Sequence, residues 1–264
     1  MTIVVKVGGA AGNAAEPVLA DLASRADYVL VHGGSDAVDR LGAALGKPAQ
    51  YYTSPSGVVS RRSDAAHLET IVLALAGKVQ TDLVAALARR GVRALGLSGV
   101  DASLLVAERK AGARAVIEGR VIHLRDDLSG TVKRVDAELL RTLLSAGLVP
   151  VVGPPAITAD GEIVNVDADS VAAAVAGALG ATALVLLTNV PGVLRDKDDP
   201  SSLIPRIRSE EIDSFLPLAH GRMRKKLIAA RDAVRAGVPR VVIAPSNVNA
   251  PVKGALAGGG TVIG

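Results

Sequence analysis

Four short stretches put chemically capable residues where strands end or helices begin. The first is "VVKVGGAAGN", Val4 to Asn13, which sets Lys6 inside an apolar run and follows it at once with Gly8 and Gly9. A lysine among apolar neighbours either finds an anionic partner or snorkels its head to water. Glycines at a strand end let backbone N–H groups approach an anion closely. The second, "HGGSDAV" from His32 to Val38, repeats the device with Gly33 and Gly34 before a helix whose positive dipole end faces the same edge. Its spacing is neither that of a P-loop nor the spaced-glycine dinucleotide fingerprint. The third is "NVDADS", Asn165 to Ser170, ahead of an apolar helix. Two readings stand side by side: Asp167 caps the helix with both acids favouring its dipole, or Asp169 orients lysines while Asn165 holds a substrate oxygen. The fourth, "GRMRKK" from Gly221 to Lys226, opens a helix with cations. That opposes the dipole unless an anion sits there; a basic surface helix is the alternative. Lysines, backbone N–H groups and one organising carboxylate together suit phosphoryl transfer, which needs positioning and positive charge more than covalent help.

The elements that would position these residues alternate along the chain. "TIVVKV" (2–7) and "DYVLVHGG" (27–34) read as buried strands. "AEPVLADLAS" (15–24), "DAVDRLGAAL" (36–45) and a long stretch from Ala65 to Gly91 have helical spacing. Strand–helix alternation implies βαβ units: an α/β fold with a mostly parallel sheet, helices on both faces and ligand loops at the carboxyl edge. In the middle, "LLVAERK" (104–110) and "AVIEGRVIHL" (115–124) look like a hairpin, and "ADG" within 156–166 reads as a turn between two short strands. The sheet resumes at 181–192, and a last helix spans 222–237 before the strand "RVVIAP". Two lobes on one continuous sheet follow, divided near residue 175.

Composition narrows the classes. The chain has 264 residues, enough for one large α/β domain or two small lobes. Hydrophobic residues make up 49%, so a sizeable core is available; aromatics make up 2%, which argues against a base-stacking nucleic-acid platform. With no cysteine there is no disulfide or thiolate site, and the four histidines (His32, His67, His123, His220) lack ligand spacing, so no metal site of the protein's own is expected. No leader and no apolar stretch of membrane length is read, which implies a cytoplasmic protein without membrane partners. The net charge of +4 is spread along the chain, as a solvated surface or as a patch for an acidic partner.

These motifs, in this order, resemble the amino acid kinase family, and in particular its N-acetylglutamate kinase-like branch. The resemblance rests on Lys6-Val7-Gly8-Gly9, His32-Gly33-Gly34, Asn165 to Asp169, "LLTNVPGVL" (186–194), "GRMRKK" and the closing "GGGTVIG". It implies a three-layer αβα sandwich of the carbamate kinase-like type, with residues 1–175 binding the acyl substrate and dimerising, and residues 176–264 binding ATP with its Mg2+. By the same resemblance Lys6 and Lys226 stabilise the transferring phosphoryl group, and Asp169 orients both. Lys226 follows Met223 by the family's three residues, which leaves Lys225 off by one. Gly33 and Gly34 would meet substrate and γ-phosphate, and Asn165 the substrate's α-substituent. Gly8, Gly9, Thr188, Asn189, Gly192 and Met223 would border the nucleotide; the family often has Ser-Asp where this chain has Thr188-Asn189.

Arg61-Arg62-Ser63-Asp64 fills the frame in which N-acetylglutamate kinases carry Arg-Val-Thr, which makes Arg61 the clamp for a substrate α-carboxylate. The lead-in "TSPSG" looks like the branch that phosphorylates aminoadipate, or glutamate, borne on the small acidic carrier protein LysW, in lysine and sometimes arginine biosynthesis. Arg40, Lys47, Arg61 and Arg62 are then candidates for a basic rim meeting the carrier. Free N-acetylglutamate is the alternative substrate, and a non-catalytic sensor or storage module of the same fold a further one. Because Lys6 comes so early, the long N-terminal helix of arginine-sensitive hexamers is not expected, and a homodimer through the helix near 65–90 is.

Overall fold

The computed structural model describes every residue except Ala11, Ser56, Val58, Glu118 and His220, and the side chain of Ile117. One of the four histidines and two positions of the Tyr51–Asp64 stretch therefore lie outside the described residues. The chain opens with β1 (Ile3–Val7), α1 (Ala15–Leu22), β2 (Tyr28–His32) and α2 (Ser35–Ala44). A hairpin of β3 (Tyr51–Thr53) and β4 (Val59–Arg61) leads into one continuous helix over Ala65–Ala88. That helix is α-helical as α3 (Ala65–Val72) and α4 (Gln80–Ala88), with a π-helical segment, Leu73–Val79, between them. Then come β5 (Ala94–Ser98), β6 (Leu105–Arg109), β7 (Ala113–Ile117), β8 (Arg120–Leu124), β9 (Gly130–Val135), α5 (Ala137–Ser145), β10 (Val149–Gly153), β11 (Ala156–Ile157) and β12 (Ile163–Val164). The chain closes with α6 (Ala168–Leu179), β13 (Ala183–Thr188), β14 (Arg206–Ile207), α7 (Ile212–Phe215), α8 (Gly221–Arg235), β15 (Val241–Pro245), α9 (Pro251–Leu256) and β16 (Thr261–Ile263).

An eight-stranded sheet in the order β14-β16-β15-β13-β1-β2-β10-β5 runs through the molecule. Its neighbours are parallel except for β15 against β16. Strands covered on both faces read as continuous apolar runs, and every residue of β1, β2, β10 and β13 is buried. Alternation along β1 divides the core in two. Val4 packs with α6 and α8, whereas Ile3, Val5 and Val7 pack with α1, α4 and α9. The result is the expected three-layer αβα sandwich. Lys6 shares the parity of Val4, so its side chain leaves the sheet on the α6 side.

Two features of the middle region differ from the sequence reading. The hairpin lies within residues 113–124, where β7 pairs with β8; β6 pairs instead with β9 and β11 in a separate sheet. Alternation shows that a strand is half-buried, not which strand it joins. The helix 222–237 is also not the last, since α9 follows it. The β11–β12 turn forms as read. The Ala65–Ala88 helix corrects the membrane expectation in one respect: by length and composition alone it could span a bilayer, and only 39% of its most apolar window is buried within the chain.

Candidate active site

Helix α6 begins at the carboxyl edge of the sheet because Asp167 caps it, accepting from the backbone N–H of Asp169 at 2.9 Å and of Ser170 at 3.4 Å. The cap leaves Asp169 in the first turn with its carboxylate turned inward. There Lys6 Nζ lies 2.8 Å from Oδ1, and Lys226 Nζ lies 2.9 Å from Oδ1 and 3.0 Å from Oδ2. The two readings of "NVDADS" thus divide between the acids: Asp167 caps, Asp169 gathers lysines. Lys226 reaches it because α8 packs along α6, as the shared core cluster shows. All three side chains are buried, at 6%, 6% and 5% exposure. Burial opposes ionisation of Asp169, but the ammonium groups of Lys226 and Lys6 and the hydrogen bonds they donate outweigh it, holding the carboxyl well below the usual carboxylate range. Burial pulls the Lys226 ammonium below its ordinary value against the attraction of Asp169. One carboxylate between two ammonium groups leaves the cluster with an excess positive charge, a poor arrangement unless an anion completes it.

The two Gly-Gly loops meet above this cluster. A Cβ on Gly9 would stand 2.1 Å from the backbone nitrogen of Gly34, so only glycine allows the approach. The contact is fastened by Asp36 N–H and Ser35 Oγ, both donating to Gly9 O at 2.8 and 3.1 Å. A Cβ on Gly8 would meet the Asn13 side chain at 2.8 Å, and one on Gly33 would lie 3.9 Å from Lys6 Nζ. Together these residues floor a cavity of about 730 Å³. Lys6, Gly8, Gly9, Gly33, Gly34, Arg61, Asn165, Asp169, Thr188, Asn189, Met223 and Lys226 all line it. Gly192 does not: its Cβ position abuts Thr261 Oγ1 at 2.6 Å, and it belongs to the packing where the Thr261 hydroxyl, accepting from Val193 N–H, donates to Ile204 O.

The amino acid kinase family model matches residues 1–245. The chain belongs to the amino acid kinase family. It is 46% identical to the "[LysW]-aminoadipate kinase" of Deinococcus radiodurans over 99% of this chain and 91% of the relative, and 44% identical to that of Thermus thermophilus over 99% of each. It is 42% identical to the "acetylglutamate kinase" of Methanopyrus kandleri over 98% of this chain and 99% of the relative. Among solved structures, Giardia carbamate kinase shares the fold with a TM-score of 0.69 at 16% identity, over 99% of this chain and 98% of that one.

In this kinase the Arg61 guanidinium is already held. Nη1 donates to Asp39 Oδ1 at 2.6 Å, Nη2 donates to Ser35 O at 3.1 Å and to Tyr51 Oη at 3.0 Å, and the Tyr51 ring lies 5.1 Å below. Asn165 Nδ2 donates to the buried Ser63 Oγ at 3.0 Å. Sequence reading missed Asp39, Tyr51 and Ser63 because their roles arise only from partners far along the chain. The four basic residues taken for a rim are all engaged: Arg40 by Asp36, Lys47 by Glu69, Arg61 by Asp39, and Arg62 by Asp64 and Asp126. Lys110 and Arg222 also line the cavity and carry no ion pair among the described residues. Burial pushes His32 down to about 4, so at neutral pH it is uncharged, with Nε2 3.4 Å from Gln80 Oε1. Among the described residues no group of three His, Cys, Asp or Glu side chains is placed to hold a metal ion.

Proposed function

We propose that this kinase transfers the γ-phosphoryl group of ATP to the side-chain carboxylate of aminoadipate borne on LysW, with glutamate on the same carrier as a second substrate. Its place is cytoplasmic lysine biosynthesis, and arginine biosynthesis through glutamate. The observation that carries the reading is the Lys6–Asp169–Lys226 cluster, buried beneath an open cavity and carrying excess positive charge. The names of the relatives supply the acceptor.

The chemistry asks little of the protein beyond charge and position. An acceptor carboxylate is already ionised at neutral pH, so no general base is required. Its oxygen forms the new bond to phosphorus, the bond from phosphorus to the ADP oxygen breaks, and no proton moves. Lys6 and Lys226 lie where charge spreads over the transferring group, and Asp169 fixes both ammonium groups so that they need not reorganise. A triphosphate fits this cluster because its own charge completes the unbalanced lysines; Mg2+ arrives with the nucleotide and supplies further neutralisation. The backbone N–H groups of Gly8, Gly9 and Gly34 give additional donors for phosphoryl oxygens, while that of Gly33 is donated to Val7 O at 3.2 Å and fixes the loop. Residues 176–264 contribute Thr188, Asn189 and Met223 to the nucleotide side, with Gly192 supporting them through Thr261, and residues 1–175 hold the acyl group. Arg61 exchanges Asp39 for the substrate α-carboxylate, beside Asn165. Lys110 and Arg222, rather than the engaged arginines, meet the acidic carrier. The weakly covered face of the Ala65–Ala88 helix forms a homodimer.

The deciding experiment offers ATP and Mg2+ with LysW-borne aminoadipate, LysW-borne glutamate or free N-acetylglutamate, and traps the acyl phosphate with hydroxylamine. Hydroxamate from the carrier-borne acids is expected. Hydroxamate from free N-acetylglutamate alone would replace this reading with the acetylglutamate kinase one, and none from any acceptor would leave a non-catalytic module.

A further inference from the structure

Lys6, Lys226 and Arg61 line the cavity together with Val38 of α2 and Ile71 and Leu75 of the long helix. Consecutive residues of one loop order them: a Cβ on Gly33 would lie 3.9 Å from Lys6 Nζ, one on Gly34 2.5 Å from Leu75 Cδ2, and Ser35 O accepts from Arg61 Nη2, which sets the apolar residues between the lysine end and the arginine end. With Ala74 these three form a core cluster of their own, apart from the two clusters that sandwich the sheet. They are 5%, 2% and 5% exposed, so a ligand lying there would touch packed carbon that has little freedom to move.

Two contacts fix this wall relative to both polar ends. Leu75 and Val79 belong to the π-helical segment Leu73–Val79, and a Cβ on Gly34 would stand 2.5 Å from Leu75 Cδ2 and 2.9 Å from Val79 Cγ2. The wall therefore presses directly on the loop that roofs the lysine cluster. At the far end Arg61 Nη2 donates to Ser35 O, in the same turn of α2 that carries Val38. π-helical segments are rare and concentrate at functional sites, where the wider coil alters which side chains reach a ligand.

We propose that Val38, Ile71 and Leu75 gauge the length of the methylene chain between the two carboxylates of the acyl substrate. The inference rests on the reading above, that the acceptor is an acidic amino acid held at both carboxylates. Glutamate and aminoadipate present the same charged ends and differ by one CH₂. Cations at the ends cannot separate them unless something fixes the span, and an apolar wall of fixed position does. One methylene in an apolar pocket is worth about 10–200-fold in kcat/KM.

The test measures kcat/KM for aminoadipate and for glutamate, each both LysW-borne and as the free N-acetyl compound, in wild type, Leu75→Ala and Leu75→Met. The readout is the ratio between the two acids. Removing carbon at 75 makes room for the longer chain, so Leu75→Ala shifts the ratio toward aminoadipate by about tenfold or more, whereas the volume-conserving Leu75→Met leaves it within about threefold. A wall that merely packs α2 onto the helix would change stability and leave the ratio alone; an unchanged ratio in a folded Leu75→Ala enzyme overturns the proposal. Should Leu75→Ala fail to fold, Ile71→Val replaces it, with a smaller shift in the same direction expected and no shift overturning. If the wild type ignores both carrier-borne acids yet phosphorylates the free ones, the carrier reading fails, and the ratio on the free compounds still decides the wall.

Discussion

At Asp169 burial and charge pull in opposite directions, and the two ammonium groups win. That balance predicts how each member of the cluster fails. Lys6→Met or Lys226→Met keeps the stem but removes a charge fixed for the moving phosphoryl group, and kcat should fall by about 10²–10³-fold in steady-state assays. A variant with wild-type turnover would remove that lysine from the mechanism. His32 gives a pH signature. Its folded value of about 4 lies below the ordinary 6.5, so the unfolded chain takes up the proton first as pH drops. The contribution to stability is complete above about pH 6.5 and is lost progressively down to pH 4, to a total of about 3 kcal/mol. Gly153 closes on the ring, with its Cβ position 2.3 Å from His32 Nε2, and the residue is only 1% exposed. Urea unfolding at pH 7 and pH 4.5 should show a smaller loss for His32→Asn than for wild type; equal losses would assign the acid sensitivity elsewhere.

Among the elements, the strands announced themselves and their partners did not. β1, β2 and β13 read correctly because a parallel strand covered on both faces must be apolar at every position. β6 was joined to the wrong neighbour because its true partner, β9, begins 21 residues after β6 ends. The π-helical segment left no mark in a pattern that reads simply as long helix. The glycine pairs were legible as loops, but the reason for each glycine was not. Gly9 is required by the backbone of Gly34, whereas a Cβ on Gly33 would find Ala168 Cβ at an ordinary 3.5 Å. Gly9→Ala should therefore lower stability by roughly 1–3 kcal/mol, and Gly33→Ala by clearly less, in thermal unfolding of the two variants. Equal losses would mean that the close approach of the two loops is not what selects glycine at position 9.

At the scale of the molecule, one long helix presents two different apolar faces. Its inner side supplies the apolar wall and part of the core, and its outer side leaves Leu73 50% exposed in an otherwise apolar stretch. A second copy of the chain would cover it. Light scattering should find a dimer for wild type and a monomer for Leu73→Glu, since a charge there would be buried without a partner; a wild-type monomer at micromolar concentration rules the dimer out. Residue types and local periodicity determined the layer architecture and the strand-end glycines, because each follows from burial or from backbone groups only a few residues away; they left the Asp167 cap as one of two readings, and the two lysines and the acid were singled out by the resemblance to the amino acid kinases. Only the tertiary structure decided that Asp169 binds both lysines at once, that Arg61 is already engaged by Asp39, and that Leu75 stands over Gly34. These pairings join residues 22 to 163 positions apart, and nothing in a chain's local pattern records which distant side chain will close a contact.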